Sequence, residues 1–129
     1  MHLLILANGG SWDRRYQVTA LAASAASVGD RVEIALFNAA LASWVEGAWD
    51  HLDPAPPLAA SRIEEAGFPP LSEMLDQARE TGDLRLFGCS AAARLLGLDL
   101  AQVQRRVDAV VGWQTFARKI AQADRVVTL

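Results

Sequence analysis

The chain has 129 residues, 52% hydrophobic and 21% charged, a globular composition with enough material for one core and too little for two. A net charge of -3 and a sequence pI of about 5.3 exclude the strongly basic footprint of a nucleic-acid-binding domain. One cysteine and two histidines rule out an internal disulfide and argue against thiolate-rich or histidine-rich metal centres.

The chain opens MHLLILANGG. Its apolar run is only Leu3 to Ala7, with no basic segment before it, which is too short for a signal peptide. No stretch reaches the ~18 to 20 apolar residues of a membrane span. The expected setting is cytoplasmic, with neither membrane nor nucleic acid as a partner. There a lone thiol stays reduced unless it has sulfur or redox chemistry to do.

Leu3 to Ala7 predicts a strand apolar on both faces, as in a parallel sheet covered on both sides. Asn8-Gly9-Gly10 then turns the chain. A helix follows from about Asp13 to Val28, with Val18, Leu21, Ala22, Ala25 and Val28 near one face. Gly29 stands where a helix C-terminus needs a residue of free backbone. Asp13, Arg14 and Arg15 read as a solvated helix start. Val32 to Phe37 predicts the second strand, followed by Asn38. Ala39 to Trp49 predicts a short helix carrying Trp44 and Trp49, either as core or as an apolar patch for subunit contact.

His51 to Pro70 holds all five prolines and reads mostly as a loop, with His51 at the surface. Its length suits a functional flap or an oligomer contact. Glu64-Glu65 and Glu73 with Asp76 read as exposed charges. Leu71, Met74, Leu75 and Ala78 predict a third helix by their i, i+3, i+4, i+7 spacing. Leu84 to Gly88 predicts the third strand, ending at Cys89. Ala91 to Leu96 is a run of good helix formers stopped by Gly97. Asp99 with Gln102 predicts a capping box, and Leu98 with Val103 its hydrophobic staple, for a helix to about Val107. Ala109 to Gly112 predicts a fourth strand. Trp113, Phe116, Ala117, Ile120 and Ala121 line one face of the last helix, with Trp113 packed beneath it. Val126 to Leu129 closes the chain as a fifth strand.

This alternation predicts an α/β fold in one domain: a doubly wound, five-stranded parallel sheet with helices on both faces. All strands of such a sheet point one way, and ligands bind where their C-terminal ends form a rim. The rim gathers Asn8-Gly9-Gly10-Ser11, Asn38, Gly88-Cys89-Ser90 and Gly112-Trp113, the candidate ligand-binding residues. Glycines there permit close backbone approach. Cys89 is the candidate catalytic residue. Between a strand end and a helix start, its sulfur faces free backbone N–H groups and the positive end of the helix dipole. Both favour the thiolate, the nucleophilic form. Ser90 can cap the helix or donate to the sulfur. Arg94, about one turn on, adds positive charge if it turns inward. The inert alternative is a buried cysteine acting as a small hydrophobe. Asn8-Gly9-Gly10 matches no phosphate-binding fingerprint, and a plain tight turn is the alternative to an anion cradle.

From Leu86 onward the chain reads LFGCSAAARLLGLDLAQVQRRVDAVVGWQTFARKIAQADRVVTL. A strand ending in Cys89, a short helix closed by Gly97 and the strand Val110-Val111-Gly112 lead to a helix with Phe116. Ala123-Asp124 then precedes a final strand. This resembles the C-terminal half of the DsrE/DsrF-like family, and the N-terminal strand, loop and helix fit the same outline. The resemblance implies a flavodoxin-like fold assembled as trimers or hexamers. It also implies that a cysteine matching Cys89 accepts sulfur as a persulfide and passes it on. The expected function is a sulfur carrier or sulfurtransferase-type protein with no resident cofactor or metal. With no second cysteine, Cys89 depends on a donor or acceptor protein, or a small thiol, to complete the transfer. The alternatives are a non-enzymatic ligand-binding or oligomeric assembly module, and a thiol redox sensor.

Overall fold

A computed structural model of the protein describes residues 1–54 and 60–129. Its strands are β1 (His2–Ala7), β2 (Arg31–Leu36), β3 (Leu84–Cys89), β4 (Ala109–Val111) and β5 (Arg125–Thr128). Its helices are α1 (Trp12–Ser27), α2 (Asn38–Val45), α3 (Ala60–Glu65), α4 (Leu71–Thr81), α5 (Ser90–Leu95), α6 (Leu100–Arg106) and α7 (Trp113–Gln122). The strands form one parallel sheet in the order β4-β3-β2-β1-β5. This is the three-layer α/β architecture that the alternating pattern predicts.

Local chemistry sets the helix ends. Ser11 caps α1 by accepting from the Arg14 N–H at 3.3 Å. At the other end Gly29 takes φ +95°. Its N–H reaches the Ala26 carbonyl and that of Asp30 reaches Ala25, which satisfies two orphan carbonyls of the last turn. Gly97 repeats the device after α5 at φ +68°, with its N–H on Arg94 and that of Leu98 on Ala93. Asp99 caps α6 through the Ala101 N–H at 3.2 Å.

Side chains alternate across the sheet. One face presents Leu3, Ile5, Val32, Ile34, Leu36, Leu84 and Leu86, all buried. Leu41 of α2 and Val103 of α6 pack against Gly88 on that side. The other face presents Leu4, Glu33, Ala35 and Phe87, and α7 lies over it. Phe116 of α7 is fully buried against Phe37, while Lys119 reaches Glu33 and the Phe87 ring. Each fully buried aromatic or aliphatic side chain contributes about 1.5–3 kcal/mol.

The chain leaving β3 therefore turns to one face and the chain leaving β4 to the other. Their neighbouring C-terminal ends form a topological switch point, where open α/β sheets leave a crevice. From there α7 must carry the chain to β5 at the opposite edge, four inter-strand steps or about 19 Å away.

The structure refines two readings, the 51–70 segment and the choice between core and patch for Trp44 and Trp49, and changes two, the end of α2 and the place of Arg15. Residues 51–70 are not one loop, because Ala60–Glu65 forms α3; residues 55–59 of that segment lie outside the described residues. Helix α2 ends at Val45, before Trp49. Trp44 and Trp49 are core, 2% and 1% exposed, because each indole N–H has an internal acceptor: the Arg106 carbonyl at 2.7 Å and Thr19 Oγ1 at 2.9 Å. Arg15 is not solvated. Its guanidinium reaches the Gly10, Ala48 and Trp49 carbonyls and Asp53. Burial pulls its pKa below the ordinary range, and the charges of Asp53 and Asp50 oppose that shift.

Candidate functional site

Cys89 ends β3 and is the residue preceding the first turn of α5. Its sulfur, not Ser90, makes the cap: Sγ accepts from the Ala92 N–H at 3.4 Å. A thiol or thiolate can fill this place because the first turn leaves N–H groups without helical partners. The residue is 1% exposed, so its outlet is a pocket of about 280 Å³ at the rim.

The pocket joins strand exits that are remote in sequence. Leu6 and Asn8 come from β1 and its exit, Phe37 and Asn38 from the end of β2. Ala91, Ala92 and Leu95 of α5 supply an apolar wall, and Trp113 opens α7 on the other side. The Trp113 ring stacks on Phe37 with centroids 4.9 Å apart and planes 20° from parallel. Trp113 is 59% exposed, so it forms a lip of the pocket rather than packing beneath α7. Phe116 has taken the buried place three residues on.

Two asparagines line the same pocket as the sulfur. Asn38 donates through Nδ2 to Asn8 Oδ1. Asn38 has φ +47°, the one positive φ at a non-glycine residue among the described residues. Asn tolerates this left-handed conformation better than most residues. The pairing of Asn8 with Asn38 therefore links the ends of β1 and β2 at the pocket mouth.

Of the rim residues expected from the sequence, Asn8, Asn38, Cys89 and Trp113 come together. Ser90 and Gly112 face each other beside them: a methyl group built on Gly112 would meet Ser90 Oγ at 3.7 Å. Gly9, Gly10, Ser11 and Gly88 have other places. Gly10 lies against Ala39, Gly9 against the Arg14 stem, and Gly88 against Val103 on the opposite face. Ser11 caps α1. Arg94 is exposed and does not line the pocket. His51 is exposed as well.

Sequence reasoning missed Phe37, Leu6 and Leu95 as pocket residues. Phe37 was legible only as the end of an apolar strand; its place on the pocket wall follows from which helix covers that face. No group of three or more His, Cys, Asp or Glu side chains among the described residues is placed to hold a metal ion. No described helix is long and apolar enough to cross a membrane.

The sequence matches the DsrE/DsrF-like family over residues 1–129. The protein belongs to that family. Comparison with curated proteins finds no match. Membership covers the whole chain, including residues 39–70, which carried none of the quoted motifs.

Proposed function

We propose that the protein carries sulfur as a persulfide on Cys89. One observation carries the reading: the single thiol of a DsrE/DsrF-like chain ends β3 at the switch point, takes a backbone N–H at 3.4 Å and lines the rim pocket. Sulfur-relay members of the family use a cysteine in this place, as the sequence resemblance implies.

The step balances without an oxidant. Cys89 thiolate attacks the outer sulfur of a donor persulfide, R–S–SH. The new bond is Cys89 S–S, the donor S–S bond breaks, and the electron pair leaves on RS⁻. The proton stays with the transferred sulfur, giving Cys89–S–SH. An acceptor thiolate then attacks that outer sulfur and releases Cys89 as thiolate. Burial excludes bulky groups from the sulfur, so the donor must present its persulfide end-on. The Ala92 N–H stabilises negative charge on the inner sulfur as the acceptor takes the outer one. A lone cysteine suits a relay, since acceptor and donor each supply their own thiol. Homo-oligomer formation belongs to this reading, with donor or acceptor proteins, or a small thiol, as the exchanging partners.

The same burial favours a second reading, a non-enzymatic ligand-binding module in which Cys89 only packs. Exposure to a persulfide donor followed by intact-mass measurement separates the two. The relay reading expects a gain of one sulfur atom at Cys89, reversed by a thiol acceptor and absent in Cys89→Ser. Folded protein that gains no sulfur, and whose Cys89→Ser variant keeps every partner, leaves only the binding module.

A further inference from the structure

A cleft larger than the Cys89 pocket lies elsewhere in the described residues. It lies between the first turns of α1 and the segment of α3 running on to Phe68, with a volume of about 770 Å³. It shares no lining residue with the Cys89 pocket. We propose that this cleft binds a small planar aromatic anion.

The wall is a continuous set of rings. Trp12 and Tyr16 stack with centroids 5.4 Å apart and planes 6° from parallel. Phe68 meets Tyr16 edge-on at 5.7 Å, and Ile63 adds an aliphatic surface. Phe68 is 43% exposed, an apolar ring left open to whatever enters. Flat π-faces favour a flat partner, stacked or edge-on.

Charge selects the sign. The ionisable groups on the lining other than Tyr16 are Asp13, Arg14 and Arg62, a net positive set. Neither arginine forms an ion pair among the described residues. A planar guanidinium can pair with a carboxylate or lie over an aromatic ring. Unlike the paired Arg15 and Arg79, these two have that capacity unspent. The volume falls in the range of small-molecule sites, which combine an apolar wall with a few polar groups. A monoanionic compound of one or two fused rings meets all three conditions.

Calorimetric titration of the intact protein with naphthoate tests this. The comparators are cyclohexanecarboxylate, an anion without a π-face, and naphthylmethylamine, a ring of opposite charge. Saturable one-site binding of naphthoate is expected, weaker by about tenfold or more for either comparator. Phe68→Ala and Arg62→Gln, both at exposed positions, should each weaken naphthoate by a similar factor, while Cys89→Ser leaves it unchanged. Circular dichroism establishes that each variant is folded. No saturable binding, equal binding of the three probes, or affinity indifferent to both cleft variants would overturn the assignment. Loss of binding in Cys89→Ser would overturn it too, by placing the ligand at the rim.

Discussion

Lys119 and Glu33 stand 86 residues apart in the chain and meet beneath α7, Nζ to Oε1 at 3.0 Å. Glu33 is 1% exposed in the second strand of a five-stranded sheet. His2 Nε2 lies 3.0 Å from its other oxygen, and Arg31 reaches Oε1 at 3.1 Å. Burying a carboxylate this deeply is costly unless it is paired. The cluster pins α7, and with it Trp113 and the pocket lip, onto the sheet.

Lys119→Met should therefore destabilise the fold by about 2 kcal/mol, the scale of a hydrogen bond to a charged group. His2 and Arg31 remain to hold part of the charge. Combining Lys119→Met with Glu33→Gln should cost less than the sum of the single changes, because the second removes the charge that the first strands. Urea unfolding midpoints of the four proteins measure this. Strict additivity would mean the pair is not energetically coupled.

Acid should weaken the protein through the same group. Burial raises the Glu33 pKa, but hydrogen bonds from Lys119 and His2, with their charges, outweigh it and leave the net value below the ordinary carboxylate range. Below the unfolded value of about 4.3 the unfolded chain thus takes up the proton first. The stabilisation is complete above that value and is lost as pH falls through the folded pKa. The stability gap between wild type and Glu33→Gln should hold steady above about pH 5 and shrink as the pH falls from there toward about pH 3. A gap constant over that window would remove Glu33 as its source.

Gly10 has no room for a side chain. A Cβ there would lie 2.5 Å from Ala39 Cβ, and a methyl on a helix cannot swing away. Gly10→Ala should cost about 1–3 kcal/mol by overpacking. Ala39→Gly should restore part of that loss despite its own helix penalty of roughly 1 kcal/mol. Thermal melting of the single and double variants is the check; the double variant melting below Gly10→Ala would refute the contact.

Asn38 combines a left-handed backbone with a side-chain bond to Asn8. Asn38→Val should lose about 1–2 kcal/mol from backbone strain in addition to that bond. Asn38→Gly keeps the φ angle without strain and loses only the bond, so it should be the milder change. Equal destabilisation of the two would show that backbone conformation is not what this position requires.

Signals confined to a few neighbouring residues were readable in the chain. Gly29 and Gly97 end helices because the αL position after the last turn favours a residue without Cβ. Asp99 was recognisable as a cap, and Cys89 as a strand end meeting a helix start. The apolar runs at β1, β2 and β3 marked a sheet buried on both faces. Arg15 misled because a charged residue in a first helical turn usually faces water. Its acceptors, the Ala48 and Trp49 carbonyls, lie more than thirty residues away. α3 was hidden among prolines, and it buries none of its residues, so no apolar stripe marked it.

The order of the five strands in the chain, their parallel direction and the place of the thiol at a strand exit followed from the chain alone, since turns, caps and periodicity act over one or two helical turns. Which exits share a pocket, which aromatic is buried and which forms the lip, and what neutralises Glu33 were decided only in three dimensions. Those outcomes depend on the strand order and on α7 crossing the sheet, which bring side chains from distant segments within a few ångströms.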